Sequence, residues 1–229
     1  TKSTNLPTDK IYAFSKDIKT LNDLINENEE ESQKYDINHF QPGSYSAFEF
    51  PTRILASWKL LRDEVKYYTL SISTPISIDM DKILKDIQDT LVNSVRHLCR
   101  HNNSNNFACL LSGGLNSSLI AALVNDYCKE NKLATLETYS IGLAGSNDLK
   151  YAKMVADYLG TSHTEIVLTE EQLVAEFGET IPYIIYLIES CDVDCVREGV
   201  CKWMLGKYIY VNSEVKYIFS GDGLNEMTG

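Results

Sequence analysis

The chain has 229 residues, of which 44% are hydrophobic and 23% are charged. This composition is typical of a globular protein and excludes a disordered or fibrous chain. The net charge of -11 argues against binding to a nucleic-acid backbone, which requires a basic surface. No apolar run approaches the roughly 20 residues that a membrane helix needs, and nothing at Thr1 resembles a signal peptide. We therefore expect a cytoplasmic protein with no nucleic-acid partner and no membrane partner.

The cysteine pattern is consistent with this location. The six cysteines are Cys99, Cys109, Cys128, Cys191, Cys195 and Cys201. None forms a CxxC pair, and no histidine follows the last three at the spacing of a zinc finger. Because intracellular thiols stay reduced, we interpret all six as structural thiols rather than as a metal site.

Residues 1–75 show few regular patterns. We predict a helix over Asp17–Ile25, because its apolar residues share one face, and strands at Ile11–Phe14, Tyr45–Phe50 and Lys66–Ile72. This part resembles the end of a β-rich module more than a complete domain.

Residues 76–229 alternate between strand and helix patterns. The predicted strands are Phe107–Leu111, Thr135–Ile141, Thr164–Leu168 and Lys216–Phe219. The predicted helices are Ile78–His101, Leu119–Tyr127, Ser146–Leu159, one that begins at Thr169, and one that runs to Tyr210 after an irregular loop over Glu189–Arg197. The first strand is apolar throughout, as in strands buried on both faces of a parallel sheet. The alternation predicts an α/β fold with a doubly wound parallel sheet.

The first chemically informative loop is Ser112–Ser118, with the sequence SGGLNSS. It follows a predicted buried strand and opens a predicted helix. Glycines allow a sharp turn that presents N–H groups to an anion, and a helix N-terminus adds its dipole. The loop matches neither GxGxxG nor GxxxxGK[ST], which disfavours a dinucleotide fold or a P-loop kinase. We predict phosphate binding; the alternative is an ordinary glycine turn with a serine N-cap.

The second loop is Ser220–Glu226, with the sequence SGDGLNE, and it also follows a predicted strand. Ligands of open α/β sheets bind beyond the carboxyl ends of the strands, so we expect both loops to face one crevice. Asp222 and Glu226 are candidates for binding Mg²⁺ or for acid/base chemistry. Taken alone, this loop favours an ordinary polar turn.

Together the two loops resemble motifs of the asparagine synthase family, which are written S-G-G-[LV]-D-S-S and S-G-E-G-S-D-E. Three segments between them also match in collinear order, namely S-I-G-L-x-G-S-x-D within Tyr139–Asp148, A-x-x-L-G-T-x-H at Ala156–His163 and E-x-x-D-V-x-x-x-R at Glu189–Arg197. Phe14–Lys19 and Phe40–Tyr45 look like the end of the glutaminase domain of that family. The resemblance covers nearly the whole chain.

The resemblance implies a domain organisation and an activity. Residues 76–229 would be the N-terminal part of a Rossmann-like synthetase domain of the PP-loop ATP pyrophosphatase type. Residues 1–75 would be the C-terminal remnant of an Ntn-type glutaminase domain plus a linker. In the family, ATP activates the side-chain carboxylate of aspartate as an adenylate and releases pyrophosphate. Ammonia then attacks, giving asparagine and AMP, so the implied partners are ATP, aspartate and ammonia; a homodimer is left open.

The resemblance also implies site residues. Those implied for ATP binding are Leu110, Ser112, Gly113, Gly114, Asn116, Ser117, Ser118, Ile141, Ser220 and Gly221. Asp222 stands where the family has a glutamate that serves as acid/base in the ammonia step. Arg197 aligns with an arginine near the aspartate site. His163 occupies a recurring position, and we interpret it as structural.

Several residues depart from the family pattern. Asn116 and Asn225 stand where the family has aspartates that bind Mg²⁺. An asparagine carbonyl can bind Mg²⁺ but brings no charge, so we expect a weakened magnesium site. Asp222 is one methylene shorter than glutamate, which changes its reach by roughly 1 Å. These departures lie at the expected reaction centre, whereas the glycines of both loops are kept.

The two ends of the chain also bear on whether it is an active enzyme. The glutaminase of the family uses an N-terminal cysteine nucleophile, whereas this chain opens with Thr1. The synthetase domain of the family supplies a pyrophosphate-binding lysine after the second loop, and Gly229 comes before it. We therefore expect no glutamine hydrolysis, and ammonia from glutamine only through a complete glutaminase domain. Two hypotheses remain: an asparagine synthase-type amide ligase, or a pseudoenzyme or fragment that binds ATP weakly or acts as an interaction module. Adenylation of another carboxylate, as in β-lactam-forming relatives, is a third option.

Overall fold

The structure is a computed structural model that describes residues 12–26, 37–49, 59–69, 79–102 and 106–224. The chain divides into two compact units, Thr1–Ile76 and Ser77–Gly229. Within the described residues, no helix combines the length and apolarity needed to cross a membrane.

The first unit contains helix α1 (Ile18–Asn26) and strands β1 (Ser44–Glu49) and β2 (Lys59–Lys66). The strands pair antiparallel, with Ser44 opposite Lys66 and Glu49 opposite Lys59. The predicted helix and the Tyr45–Phe50 strand are confirmed over the described residues.

Two strand predictions in this unit are wrong. Tyr12–Phe14 form no strand, and Ile11 lies outside the described residues. In the predicted strand Lys66–Ile72, only Lys66 belongs to β2, residues 67–69 are irregular, and residues 70–72 are not described. The aromatic run therefore follows β2 instead of forming it. The true strand was hard to predict, because five of its eight residues are charged and all but Leu60 are exposed.

The second unit alternates between helices and strands. In chain order these are α2 (Met80–His101), β3 (Phe107–Leu110), α3 (Leu115–Glu130), β4 (Glu137–Leu143), α4 (Asn147–Leu159), β5 (Ser162–Leu168), α5 (Glu170–Ile188), α6 (Val193–Asn212) and β6 (Tyr217–Phe219). The four strands form one parallel sheet in the order β5-β4-β3-β6. The predicted α/β fold with a parallel sheet is confirmed.

Helices pack on both faces of this sheet, because successive strand side chains point to opposite sides. Phe107 and Cys109 of β3 face α2, α3 and α4, and we call this side the α3 face. Ala108 of β3 and Tyr139 of β4 face α6, and we call this side the α6 face. The α3 face holds three buried cysteines, Cys99, Cys109 and Cys128, and burial raises the pKa of each thiol.

Local capping explains where most of the helices begin and end. Ser146 Oγ accepts a hydrogen bond from the Leu149 N–H at the start of α4, and Gly160 ends this helix with a φ of 71°. Serine is a preferred residue at a helix N-terminus, and glycine is preferred where a helix ends in a left-handed conformation. Thr169 begins α5 in a capping box with Gln172. The Asp192 carboxylate accepts from the N–H groups of Asp194 and Cys195 and so caps α6.

This last cap overturns one prediction. Glu189–Arg197 was expected to be an irregular loop, but α6 begins at Val193 and includes Arg197. The apolar residues Val196 and Val200, both buried, continue the pattern of the rest of the helix. The correction turns a supposed loop into the first turns of the helix that covers the α6 face.

Candidate functional site

The sheet order creates a crevice between β3 and β6. Strand β4 pairs with one edge of β3, and β6 pairs with the other edge. The order of the strands in the sheet therefore reverses direction at β3. Parallel sheets bind ligands at such a switch point, beyond the carboxyl ends of the strands. A cavity of about 1110 Å³ lies there, lined by both predicted loops and by residues of α5 and α6.

The first loop is held in a fixed shape by its own serines. The hydroxyls of Ser112 and Ser117 lie 2.9 Å apart, and the Ser112 N–H donates to Ser117 Oγ over 3.3 Å. Ser117 Oγ also donates to the carbonyl of Gly114 at 3.2 Å. These contacts close the turn and leave the start of α3 directed at the cavity, where Gly114, Asn116 and Ser117 are lining residues.

Helix α3 differs from its neighbours at its N-terminus. Side chains cap the first turn of α2, α4, α5 and α6, through Asp79, Ser146, Thr169 and Asp192. Gly114 begins α3 with no side-chain cap. The first N–H groups of a helix need partners, and an anion can supply them. The uncapped helix of this group is therefore one whose N-terminus faces the cavity.

Gly221 brings the second loop onto the first. A Cβ atom at this position would lie 2.6 Å from the backbone nitrogen of Ser117 and 2.7 Å from the carbonyl carbon of Asn116. Real side chains do not tolerate such distances, so only glycine permits this approach. The two loops therefore touch through their backbones, although they are far apart in sequence.

A charged cluster lines the α6 side of the cavity. Lys202 Nζ lies 2.7 Å from Asp222 Oδ2 and 2.9 Å from Glu198 Oε1. Partial burial acts to raise the pKa of Asp222, but hydrogen bonds with Lys202 and Ser220 outweigh it and lower this pKa overall. Burial likewise acts to lower the pKa of Lys202, while the two carboxylates raise it overall. Both groups are therefore charged near neutral pH.

Arg197 also lines the cavity, from the first turns of α6. Its guanidinium Nη1 lies 3.6 Å from Asp194 Oδ1, and both side chains are mostly exposed. A loose ion pair of this kind is worth little and leaves the guanidinium able to bind a carboxylate or a phosphate.

The structure brings most of the predicted site residues together. The cavity lining includes Leu110, Ser112, Gly114, Asn116, Ser117, Ile141, Arg197, Ser220, Gly221 and Asp222. Gly113 is absent from the lining: its φ is 78°, and a Cβ there would lie 2.5 Å from the backbone of α4 at Ala152. Ser118 does not line it either, and its buried Oγ has no hydrogen-bond partner among the described residues. Asn225 lies outside the described residues.

The described residues do not fit a resident divalent cation. No group of three or more histidine, cysteine, aspartate or glutamate side chains among them could hold a metal ion. Asn116 reaches the cavity with an uncharged amide, and the Asp222 carboxylate already pairs with Lys202. Magnesium ligation usually needs one or two carboxylates.

Sequence reasoning found only Arg197 of the wall that α6 contributes to the cavity. The lining residues that it missed there are Asp194, Glu198, Cys201, Lys202 and Leu205, which lie with Arg197 at spacings of one, three and four residues along α6. Such spacings put side chains on one helix face. The pattern was present in the sequence, but it was hidden while residues 189–197 were interpreted as a loop.

His163 is buried on the sheet, outside the lining of this cavity. Thr138 Oγ1 lies 2.9 Å from its Nδ1, and Ser140 Oγ lies 3.2 Å from its Nε2. Its side chain is 3% exposed, and burial lowers the pKa of the imidazole. These contacts join β4 to β5 and agree with the structural role predicted for it.

Comparisons with known proteins place the chain among its relatives. The asparagine synthase family model matches residues 86–229. The glutamine-hydrolysing asparagine synthetase of Rattus norvegicus is 31% identical over 204 residues, which cover 84% of this chain and 35% of that protein. The human enzyme gives the same three percentages. The chain thus spans about a third of the length of these curated relatives.

A solved structure overlaps with part of the fold. The NH3-dependent NAD synthetase from Campylobacter jejuni aligns with a TM-score of 0.37 and 17% identity, over 60% of this chain and 55% of that one. The fold assignment rests on the strand order rather than on this overlap. The family match covers more than half of the chain and includes both loops that meet at the cavity, so the chain belongs to the asparagine synthase family.

Proposed function

We propose that the chain is an ATP-dependent amide ligase of the asparagine synthase type. It would bind ATP between the loops after β3 and β6 and activate the side-chain carboxylate of aspartate as an adenylate. The observation that carries the proposal is the backbone contact of Gly221 with Asn116 and Ser117 at the uncapped start of α3. The contact supports the proposal because it joins the two family motifs into one anion-binding crevice.

The lining residues fall into roles that suit a nucleotide. Ser112, Gly114 and Ser117 surround the N-terminus of α3, where N–H groups and hydroxyls would bind phosphate oxygens. Leu110 and Ile141 provide an apolar wall on the α6 face for the adenine ring. Ser220 and Gly221 would close the site from the opposite side. Magnesium would enter with the nucleotide as part of the substrate, bound by its phosphate oxygens.

Two further lining residues, Arg197 and Asp222, suit the amide-forming steps. Arg197 would bind a carboxylate of aspartate through charge-assisted hydrogen bonds. Attack of the side-chain carboxylate on the α-phosphorus forms the adenylate and releases pyrophosphate. Ammonia then attacks the activated carbonyl carbon, the bond to AMP breaks, and the nitrogen loses one proton. Asp222 is the carboxylate in the cavity that we assign to accept this proton.

The first unit fits the same proposal. The alignment with the rat protein covers 84% of the chain, which is more than the residues 86–229 matched by the family model. We propose that residues 1–75 correspond to the end of a glutaminase-like domain with a linker. No glutaminase chemistry is proposed for this chain, since none of its six cysteines is placed to serve as the nucleophile.

The first test is the release of AMP and pyrophosphate from Mg·ATP with ammonium as the nitrogen donor. Omission of aspartate and replacement of ammonium by glutamine are the two controls. Release that requires aspartate is expected, with asparagine formed only when ammonium is present. Binding of ATP without any aspartate-dependent release would contradict the ligase proposal.

Specific observations favour a second candidate, a nucleotide-binding protein without catalysis. Asn116 brings no charge to the cavity, and Asp222 has a lowered pKa, which makes it a weak proton acceptor. The double change Asn116→Asp and Asn225→Asp tests whether the missing negative charges weaken the binding of Mg·ATP. Stronger Mg·ATP binding is expected if both positions face the nucleotide-bound metal, and an unchanged dissociation constant would refute that placement.

A further inference from the structure

Lys202 is the centre of a charged cluster that no family motif in the sequence predicts. It lies on α6 and reaches the loop after β6, where its ammonium group contacts the carboxylate of Asp222. The same ammonium group contacts Glu198, one turn earlier on α6. One cation thus bridges two carboxylates at the cavity wall, with both distances below 3 Å.

The balance of charge in the cavity makes this cation important. Among the described residues, four carboxylates line it, on Asp148, Asp194, Glu198 and Asp222, against two cations, on Arg197 and Lys202. A triphosphate is a polyanion, so an excess of carboxylates opposes its entry. The Arg197 guanidinium lies 3.6 Å from Asp194 in a loose pair, whereas the Lys202 ammonium group directly contacts both Glu198 and Asp222.

The geometry points to Lys202 as the residue that lowers the electrostatic repulsion between this cavity and a nucleoside triphosphate. We propose that its ammonium group neutralises Asp222 and Glu198, and that without it their negative charge repels the phosphates. The inference deepens the proposed function and rests on it. Lys202 then acts through its two partners, as a positioning and charge-balancing residue.

A purely structural role for Lys202 would have a different consequence. The ion pair also ties α6 to the loop after β6, and loss of that tie would disturb the cavity for every ligand. Adenosine distinguishes the two roles, because it has the base and ribose of ATP but no phosphate charge. If Lys202 balances charge, its loss weakens the binding of ATP but not that of adenosine. If Lys202 only maintains the shape of the cavity, its loss weakens the binding of both ligands.

The experiment measures the dissociation constants of Mg·ATP and adenosine by isothermal titration calorimetry on the whole chain. The variants are Lys202→Met, Lys202→Arg and the double variant Lys202→Met with Asp222→Asn. The matched control is Lys207→Gln, which removes a lysine charge from the same helix outside the cavity lining, where it pairs with Glu176. Thermal melting of each variant checks that it is folded.

Lys202→Met is expected to weaken ATP binding by roughly three- to tenfold while adenosine binding changes by less than about twofold. Lys202→Arg should keep the wild-type affinity, and the double variant should recover most of the lost affinity. Unchanged ATP binding in Lys202→Met, equal losses for ATP and adenosine, or no recovery in the double variant would each overturn the inference. A wild-type protein that binds no ATP would instead overturn the proposed function, and the inference with it.

Discussion

The two faces of the parallel sheet are built differently. On the α3 face, eleven buried residues of the described part of the chain form one apolar cluster, which includes Phe107, Val124 and Ala152. They come from β3 and the residue after it, from the segment before β4 and from three helices. On the α6 face, the corresponding cluster has four buried residues, and charged side chains of α6 line the cavity beside it. The difference indicates that most of the packing energy is found on one face, while the polar chemistry is concentrated on the other.

This division has a general physical basis. Burial of apolar side chains stabilises a fold, whereas a polar cavity leaves apolar contacts unmade. Sites that bind ligands are commonly less stable than the cores that support them. Four predictions test whether the division holds here, in order of expected effect.

The largest effect is expected on the α3 face. Leu136→Ala removes a side chain that is 1% exposed within the apolar cluster and should cost about 3 kcal/mol of unfolding free energy. Urea denaturation measures the loss, and calorimetry below the melting temperature should find ATP binding unchanged. A large loss of ATP affinity in this variant would show that the two faces are not independent.

Gly221→Ala should produce the opposite pattern. The added Cβ would meet the backbone of Ser117 and push the two loops apart, so ATP binding should weaken by about tenfold or more, which corresponds to about 1.4 kcal/mol. Stability should change little, because the loop is partly exposed. The matched control is Gly206→Ala, whose Cβ would meet nothing within 4 Å on α6. Equal ATP affinities in both variants would contradict the close approach of the loops.

A smaller effect concerns the capping of α5, which contributes Leu173 and Phe177 to the cavity lining. Thr169→Ala removes the side chain that caps the N–H of Gln172, and should cost about 1 kcal/mol of stability. Gln172→Ala removes the reciprocal hydrogen bond to the Thr169 N–H and should cost less. The melting temperatures of the two variants provide the comparison, and the reverse order would contradict the cap geometry.

The smallest effect is a pH dependence from His163. Burial lowers its pKa in the folded protein, so below about pH 6.5 the unfolded chain binds the proton more readily. Stability should therefore fall as the pH drops from the unfolded-state pKa towards the folded-state pKa. The measurement compares urea unfolding at about pH 7.5 and about pH 5.5 for wild type and His163→Gln. A pH dependence that is the same in both proteins would rule out this contribution.

Sequence patterns predicted the α3 face better than the α6 face. The continuous apolar run at Phe107–Leu111 indicated a parallel strand, and Ser146 and Gly160 marked the ends of α4. These features are local, because buried strands and capped helices leave their signature in neighbouring residues. Strand β2 lacks such a signature, since five of its eight residues are charged and all five are exposed.

The residues that line the cavity are brought together by contacts between distant segments, which no local sequence pattern reveals. The resemblance to a known family indicated the two loops, and the structure brings them together. The ion pair of Lys202 with Asp222 joins a helix to a later loop and could not be predicted from either segment alone. The start of α6 was missed for a simpler reason, since the N-cap role of Asp192 was not recognised.

The pairing of β3 with β6 also sets an order for folding. Strands β3, β4 and β5 pair with neighbours in the chain, with one helix between each pair, whereas β6 pairs with β3 only after α3 to α6 have intervened. Contacts between distant segments form more slowly than local ones, because a longer loop must close first. We therefore expect the apolar cluster of the α3 face to assemble early in refolding. The proposed nucleotide site should therefore form as a late event, when β6 docks beside β3 and Gly221 reaches Ser117.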